Sequence, residues 1–297
     1  MNLFSGIRKR LGVQLLLAIT FVSMAPLVGT GLLLLSQTES SLRAEVQSHQ
    51  EQAAEISANL VRDYLRNARE KLEIIALFLS KQSYENPEQL TAALKPRLEA
   101  AGIFLDLNYY HTSRGKGPGK AYFNATQEEY QAVQRMTGGE NFLDPRVNPK
   151  VYETPFFREA SAGTPHVSSR VETTGDIPFV TLSVPVERKA VLVANLDFRP
   201  VRALLRNVAG ENRVIQLFGA EGVLSSSGPI AESDRIETDR SVDHGDWRVR
   251  VSEAKSRAFA PLRRARLHST LWIAAAAAFS LALSWFLSRR ILRPVRK

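Results

Sequence analysis

Two stretches without formal charge decide what this chain can be. Leu11–Ser36, LGVQLLLAITFVSMAPLVGTGLLLLS, runs for 26 residues, and Leu267–Ser288, LHSTLWIAAAAAFSLALSWFLS, for 22. At about 1.5 Å per residue, a helix of either length crosses a hydrocarbon core of roughly 30 Å. Trp272 and Trp285 stand 13 residues apart. That is about 20 Å along a helix, enough to set one ring near each headgroup boundary. The run Ala274–Ala278 keeps the second span thin, which suits close packing against another membrane helix. A buried hairpin helix of a soluble protein would explain one such stretch but not a pair. A cleaved signal peptide shares the basic start of the first stretch. Its apolar core here is too long, and no small-x-small cleavage site follows. Pro26 is expected to kink the first span, as membrane helices tolerate.

Orientation follows from the flanking cations. Arg8, Lys9 and Arg10 precede the first span, Arg289, Arg290, Arg293, Arg296 and Lys297 follow the second, and none stands just after the first. Residues 1–10 and 289–297 are therefore expected in the cytoplasm and residues 37–266 outside it. Arg257, Arg263, Arg264 and Arg266 at the outer end of the second span pull the other way, but long domains translocate largely regardless of charge. A net charge of +9 would suggest nucleic acid for a soluble protein. Here much of it flanks the spans and reads as contact with membrane lipid headgroups, so nucleic acid is not an expected partner. The chain has no cysteine, which removes disulfides, thiolate metal sites and a cysteine nucleophile together.

Between the spans the pattern is first helical and then mixed. Gln37–Ser80 contains neither glycine nor proline. Leu42, Val46, Ala53, Ile56, Leu60, Tyr64, Ala68, Leu72, Ile75 and Leu79 recur at spacings near three, four and seven, which predicts one face of a long helix continuing the first span outward. That stripe is expected to pack on its own domain and, near the membrane, on a second copy of the chain. Asn86-Pro87 opens another helix that ends near Gly102. Ile103–Tyr110 reads as a strand, RGKGPGK at 114–120 as a turn, and Ala121–Asn124 as the returning strand. The glycine-rich turn does not have phosphate-loop spacing: three residues separate Gly115 from Gly119 and no Ser or Thr follows Lys120.

Glu128–Met136 predicts a short helix, and Asp144-Pro145 and Asn148-Pro149 an extended path. A helix at Phe156–Ala162 precedes three antiparallel strands, His166–Glu172, Phe179–Val186 and Val191–Phe198, with turns at Thr174–Asp176 and Glu187–Lys189. Pro200–Val208 reads as a helix into a smaller sheet of Val214–Phe218, Val223–Ser226 and Trp247–Val251. The outer segment thus divides into two unequal modules in series, distal at about 84–205 and proximal at about 206–260.

Catalytic signals are sparse. His49, His111, His166, His244 and His268 show no ligand spacing, and HExxH, GxSxG and GxGxxG are absent from the sequence. No catalytic site, metal or cofactor is expected within these residues. A concave sheet with aromatic walls and a few polar groups suits a small ligand, and the first module offers Tyr109, Tyr122, Tyr152, Phe156, Ser168, Arg170, Thr181 and Asn195 as ligand-binding candidates.

The segments TPFFREASAGTPHVSS, IPFVTLSVPV and VLVANLDF resemble the double Cache sensor domain of bacterial transmembrane receptors over roughly residues 37–260. RRILRPVRK at the end is similar to the opening of a HAMP linker. The resemblance implies an α+β fold: two membrane helices flanking an extracytoplasmic, PAS-like double Cache sensor with a long N-terminal helix. It also implies a periplasmic small-molecule ligand bound in the distal module, a homodimer in the bacterial inner membrane, and a cytoplasmic signalling module of histidine kinase, chemotaxis or cyclic-nucleotide type. Amino-acid-binding members carry an Arg-x-Trp-Tyr type motif for the ligand carboxylate and an aspartate on the last distal strand for its amine. Here Thr154, Phe156 and Phe157 fall near the motif and Asn195 at the aspartate. The expected ligand is therefore a small carboxylate or neutral polar solute on Arg170, Tyr122 or Tyr152, with amino acids bound weakly. The alternative from another class is a non-catalytic membrane assembly protein whose outer domain binds another protein.

Overall fold

A computed structural model describes residues 3–81, 87–111, 122–138, 141–186, 190–220, 222–229 and 234–292. The turn at 114–120, the turn at 187–189 and residues 293–297 of the linker-like end lie outside the described residues, as do most side chains of the first charge-free span. The chain divides into two compact units, one of Met1–His49 with Ala254–Lys297 and one of Gln50–Glu253.

Helix α1, Leu3–Ser80, is a single helix of 78 residues and passes through Pro26 uninterrupted. Beyond Gln50 its buried face is Ala53, Ala54, Ser57, Ala58, Val61, Leu65, Ala68, Leu72, Ile75, Ala76 and Leu79. This is the expected stripe turned slightly about the axis: Ile56 is 43 % exposed and Leu60 only half-buried. The turn follows from the small residues Ala54, Ser57 and Ala58, which let the sheet approach and draw that side inward.

Helix α2 (Pro87–Ala101) precedes strands β1 (Phe104–His111) and β2 (Tyr122–Thr126), and α3 (Glu128–Thr137) ends at Gly138, whose φ of 62° caps it in the left-handed region. Where the two Asx-Pro pairs predict extended chain, Pro149–Glu153 instead forms a 3-10 turn. Proline sits well at a first helical position, and Asn148 Oδ1 accepts from the Lys150 N–H at 3.2 Å. Helix α4 (Pro155–Ser161) follows, then β3 (His166–Val167), β4 (Glu172–Thr174), β5 (Ile177–Val186) and β6 (Ala190–Asp197). The expected strand His166–Glu172 is thus two short strands, both antiparallel to β5, with a break at 168–171. The first sheet has the order β2-β1-β6-β5-β3, β4 also pairing with β5.

Helix α5 (Arg199–Ala209) leads to a second sheet of β7 (Arg213–Gly219), β8 (Gly222–Ser226), β9 (Arg235–Ser241) and β10 (Arg248–Ala254), in the order β8-β7-β10-β9. One apolar core runs through both sheets, joining α1 and α2 to Leu107, Leu182, Leu192 and Leu196 of the first and Ile215, Leu217, Val249 and Val251 of the second.

In the other unit, β10 gives way to α6 (Lys255–Ala258) and α7 (Ala260–Leu292). Among the described residues Ala260–Leu283 is the one stretch long and apolar enough to cross a membrane, and only Leu262 near its start is buried. Within this unit a Cβ at Gly31 would lie 3.2 Å from Ile273 Cδ1, and Arg266 pairs with Glu39.

Candidate functional site

Both faces of the first sheet are covered, and they differ in chemistry. The face toward α1 and α2 is apolar. The other carries Asp106, Asn108 and Tyr110 from β1, Tyr122 and Asn124 from β2, Thr181 and Ser183 from β5, and Asn195 from β6. These strands are brought side by side by the pairings Asn108↔Asn124, Asp106↔Asn195 and Thr181↔Asn195. A β-bulge in β1 between Phe104 and Asp106 sets which side chains share this face.

The residues from Asn141 to Ser161 cover the sheet here. Leu143, Val151, Phe157 and Ala160 pack with Tyr110, Val191 and Val193 in a small core of their own, joined by Tyr122, Tyr152 and Phe156. Aromatic edges hold it: Tyr152 meets Phe157 at 4.9 Å and Tyr110 meets Phe157 at 5.5 Å, both near perpendicular. Polar clasps add direction, since Tyr110 donates to the Leu143 carbonyl, Ser183 Oγ to the Phe156 carbonyl at 2.6 Å and Asn141 Nδ2 to Tyr122 Oη at 3.0 Å.

At the centre lies Asp106, fully buried. Its Oδ1 accepts from the Asn195 backbone N–H at 3.1 Å and from Asn108 Nδ2 at 2.9 Å, and its Oδ2 from Asn195 Nδ2 at 3.0 Å. Asn195 in turn accepts from Thr181 Oγ1 at 3.0 Å, and Asn108 from Tyr122 Oη and Asn124 Nδ2, each at 2.7 Å. Every donor to Asp106 is neutral, and among the described residues it forms no ion pair. Burial therefore outweighs the hydrogen bonds and pushes its carboxyl up to about 7. A carboxylate so placed is a poor stabiliser, because an uncompensated buried charge costs several kcal/mol. It is well placed to receive a cation or to give and take a proton near neutrality.

Of the residues expected at a ligand site, Tyr122, Thr181 and Asn195 lie on this face and Tyr152 and Phe156 in its cover. Tyr109 points to the opposite face, packed on Phe123 at 6.2 Å against the α1 side. Ser168 and Arg170 sit in the break between β3 and β4, where the Ser168 N–H donates to the Thr181 carbonyl at 2.8 Å and Ser168 Oγ accepts from the Arg170 N–H at 3.2 Å. Asp106 and Asn108 were not singled out in the sequence. The signal for them was a pair of polar residues two apart in the otherwise apolar run IFLDLNYY.

A shallow surface cleft of about 380 Å³ lies apart from this network, lined by Glu129, Val133, Met136, Thr137, Gly175, Asp176, Ile177 and Arg199. Arg199 at its rim is already engaged by Asp197 and Glu129, each at 2.8 Å. The buried polar face, with its convergent donors and perturbed carboxyl, is the stronger candidate.

No family model and no curated protein matches the sequence. Solved structures do. The ligand-binding domain of the Campylobacter jejuni chemoreceptor Tlp3 in complex with L-norvaline aligns with a TM-score of 0.54 at 12 % identity, over 75 % of this chain and 95 % of that one. The sensory domain of the same receptor with isoleucine bound gives 0.53 at 12 % identity, over 74 % and 97 %. The extracellular domain of soHK1S-Z6, described as a histidine kinase, gives 0.51 at 16 % identity, over 75 % and 99 %. At such identities the likeness is one of fold: the chain shares its mixed helix-and-sheet architecture, long N-terminal helix included, with the sensory domains of chemoreceptors.

Proposed function

We propose that the chain is a membrane receptor that senses a small extracytoplasmic ligand and passes the signal through its second membrane helix to a cytoplasmic output. In this reading it is a homodimer in a bacterial inner membrane, with spans at 11–36 and 267–288. Between them lies a double Cache sensor with its distal module at about 84–205 and its proximal module at about 206–260, and a HAMP linker starts at 289. The observation that carries it is one of connection: a fold shared with sensory domains ends in β10, and the chain then enters α6 and the membrane-length α7. A kinase, chemotaxis or cyclic-nucleotide output fits equally.

The ligand seat is the polar face over Asp106. The sequence put Asn195 where an aspartate would meet a ligand amine; Asp106 supplies a carboxylate one hydrogen bond away from Asn195, so an amine-bearing ligand is not excluded by charge. Arg170 is exposed in the break between β3 and β4. The proposed ligand is accordingly a small molecule with a cationic amine, held by Asp106 with Asn195, Thr181 and Tyr122 around it. Thermal-shift titration of the full chain with L-isoleucine, L-norvaline and, as an amine-free control, propionate tests this. A ligand at 100 times its Kd stabilises by about 2.7 kcal/mol. Binding by an amino acid that strengthens as pH rises through about 7 and is lost in Asp106→Asn is expected; binding by propionate alone would return the reading to an anionic ligand. Reporter fusions at Lys150 and Lys297 test the topology, and a cytoplasmic signal at Lys150 would end the receptor reading.

A further inference from the structure

The break at 168–171 is filled by the turn that precedes β10. Trp247, 1 % exposed, donates from Nε1 to the Ser169 carbonyl at 2.7 Å. His244 Nε2 lies 3.3 Å from the Ser168 carbonyl, and its ring stands edge-on to Trp247 at 4.8 Å. Trp247 is also edge-on to Phe198, the residue after β6, at 5.7 Å. Helix α1 grips the turn from another side: Arg62 Nε donates to the Val242 carbonyl at 3.3 Å, and Arg62 Nη2 pairs with Asp243 at 2.7 Å. Asp243 has a φ of 58°, a conformation that a non-glycine residue keeps where its surroundings hold it.

The serines gripped by this turn also touch the strand that carries the polar face. Ser168 N–H bonds the Thr181 carbonyl, Thr181 Oγ1 bonds Asn195, and Asn195 bonds Asp106. On the other side Trp247 leads into β10, which ends at Ala254 where the chain enters α6 and α7. We infer that the His244–Trp247 turn is the joint through which the state of the polar face reaches α7. A shift in the register or tilt of β5 moves Ser168 and Ser169, and the indole, bonded to one of them and wedged on Phe198, carries that movement into β10. The inference rests on the receptor reading for the direction of signalling, and it gives Trp247 a positioning role distinct from packing. Packing alone predicts lost stability in its variants; a joint predicts lost communication at preserved stability.

The test needs no ligand, so a chain that binds no amine would defeat the ligand assignment without touching this one. Because the chain lacks cysteine, Gly31→Cys with Ile273→Cys reports on the α1–α7 contact as a disulfide-formation rate in the full chain, reconstituted in phosphatidylcholine/phosphatidylglycerol nanodiscs. Thr181→Val perturbs the polar face by removing its hydroxyl from Asn195. Trp247→Phe keeps a ring on Phe198 and removes the donor to Ser169. With Trp247 intact, Thr181→Val is expected to change the rate by about threefold, in the range of measured couplings between distant sites; in Trp247→Phe that response falls by half or more. A response retained above half, or none with Trp247 intact, overturns the inference. Should thermal unfolding show Trp247→Phe to be misfolded, His244→Ala, which removes the partner of the Ser168 carbonyl, is read by the same criterion.

Discussion

The two sheets turn similar apolar faces to α1 and differ on the side away from it. On the first, Asn141–Ser161 roofs the far face around Tyr110, Val191 and Val193, and Asp106, Asn108, Thr181 and Asn195 are held out of water. On the second, the strands carry an ionic ladder: Arg250 pairs with Asp239 at 2.7 Å and with Glu237 at 3.6 Å, with the Arg250 and Asp239 side chains about a third exposed. The ladder is how a sheet meets solvent. The roofed network is something stability alone would not select, because each polar group taken from water must be matched by a partner. The two sheets thus differ in what they do with polar groups: the first buries them in a network, the second leaves them as ion pairs in water.

The largest effect that sharpens this contrast is expected at the seam of the two sheets. Trp247→Ala should cost about 3–5 kcal/mol, read by urea unfolding. One cooperative transition shifted as a whole supports a shared core, whereas two separate transitions would show that the sheets melt independently. Next comes Asp106. The unfolded chain loses this proton at the ordinary carboxylate pKa and the folded chain only near 7. Between those values the folded state holds the extra proton, so stability falls as pH rises and levels off above about 7. The loss is on the order of a few kcal/mol from pH 4 to pH 8, and Asp106→Asn should flatten that slope. If the difference between the wild-type and Asp106→Asn curves does not fall over this range, the burial of Asp106 is offset by another group. Tyr110→Phe leaves the Leu143 carbonyl beneath the roof without its donor and should cost about 1–3 kcal/mol, with faster hydrogen exchange over Asn141–Val151. Smallest is Arg250→Gln on the ladder, expected below about 1 kcal/mol. A loss as large as that of Tyr110→Phe would erase the distinction between the two faces.

What the residues revealed in advance follows the same contrast. The long helix was legible because Gln37–Ser80 has no breaker, and β5 and β6 because their apolar runs are long. Strand β9, RIETDRS, was missed: an edge strand half in water, it has no apolar alternation to read. The choice between Tyr109 and Tyr110 could not be made from sequence, since β1 is buried on both faces and so lacks a two-residue period. The bulge after Phe104 then reverses the phase that counting from that residue would assign. Ser168 and Arg170 were read as part of one strand where there are two short strands with a break between them. Nothing local announces a break that is filled by a turn nearly 80 residues further on. Asp106 was passed over because the resemblance directed attention to Asn195, which proves to be its hydrogen-bond partner.

The order in which these pieces leave the ribosome adds a last constraint. Helix α1 is made first, yet Gln50 meets Thr238 and Arg62 meets Asp243, partners 188 and 181 residues later. At synthesis rates of about 5–20 residues per second, the Gln50–Arg62 stretch of a nascent α1 waits on the order of 10–40 s for these partners. Contacts this distant in sequence also make for slow folding. The half-made protein is thus its own most vulnerable form: an amphipathic rod with no domain to lie against. Factors that shield such a rod during biogenesis are expected to set the yield of this protein more than the stability of its finished fold.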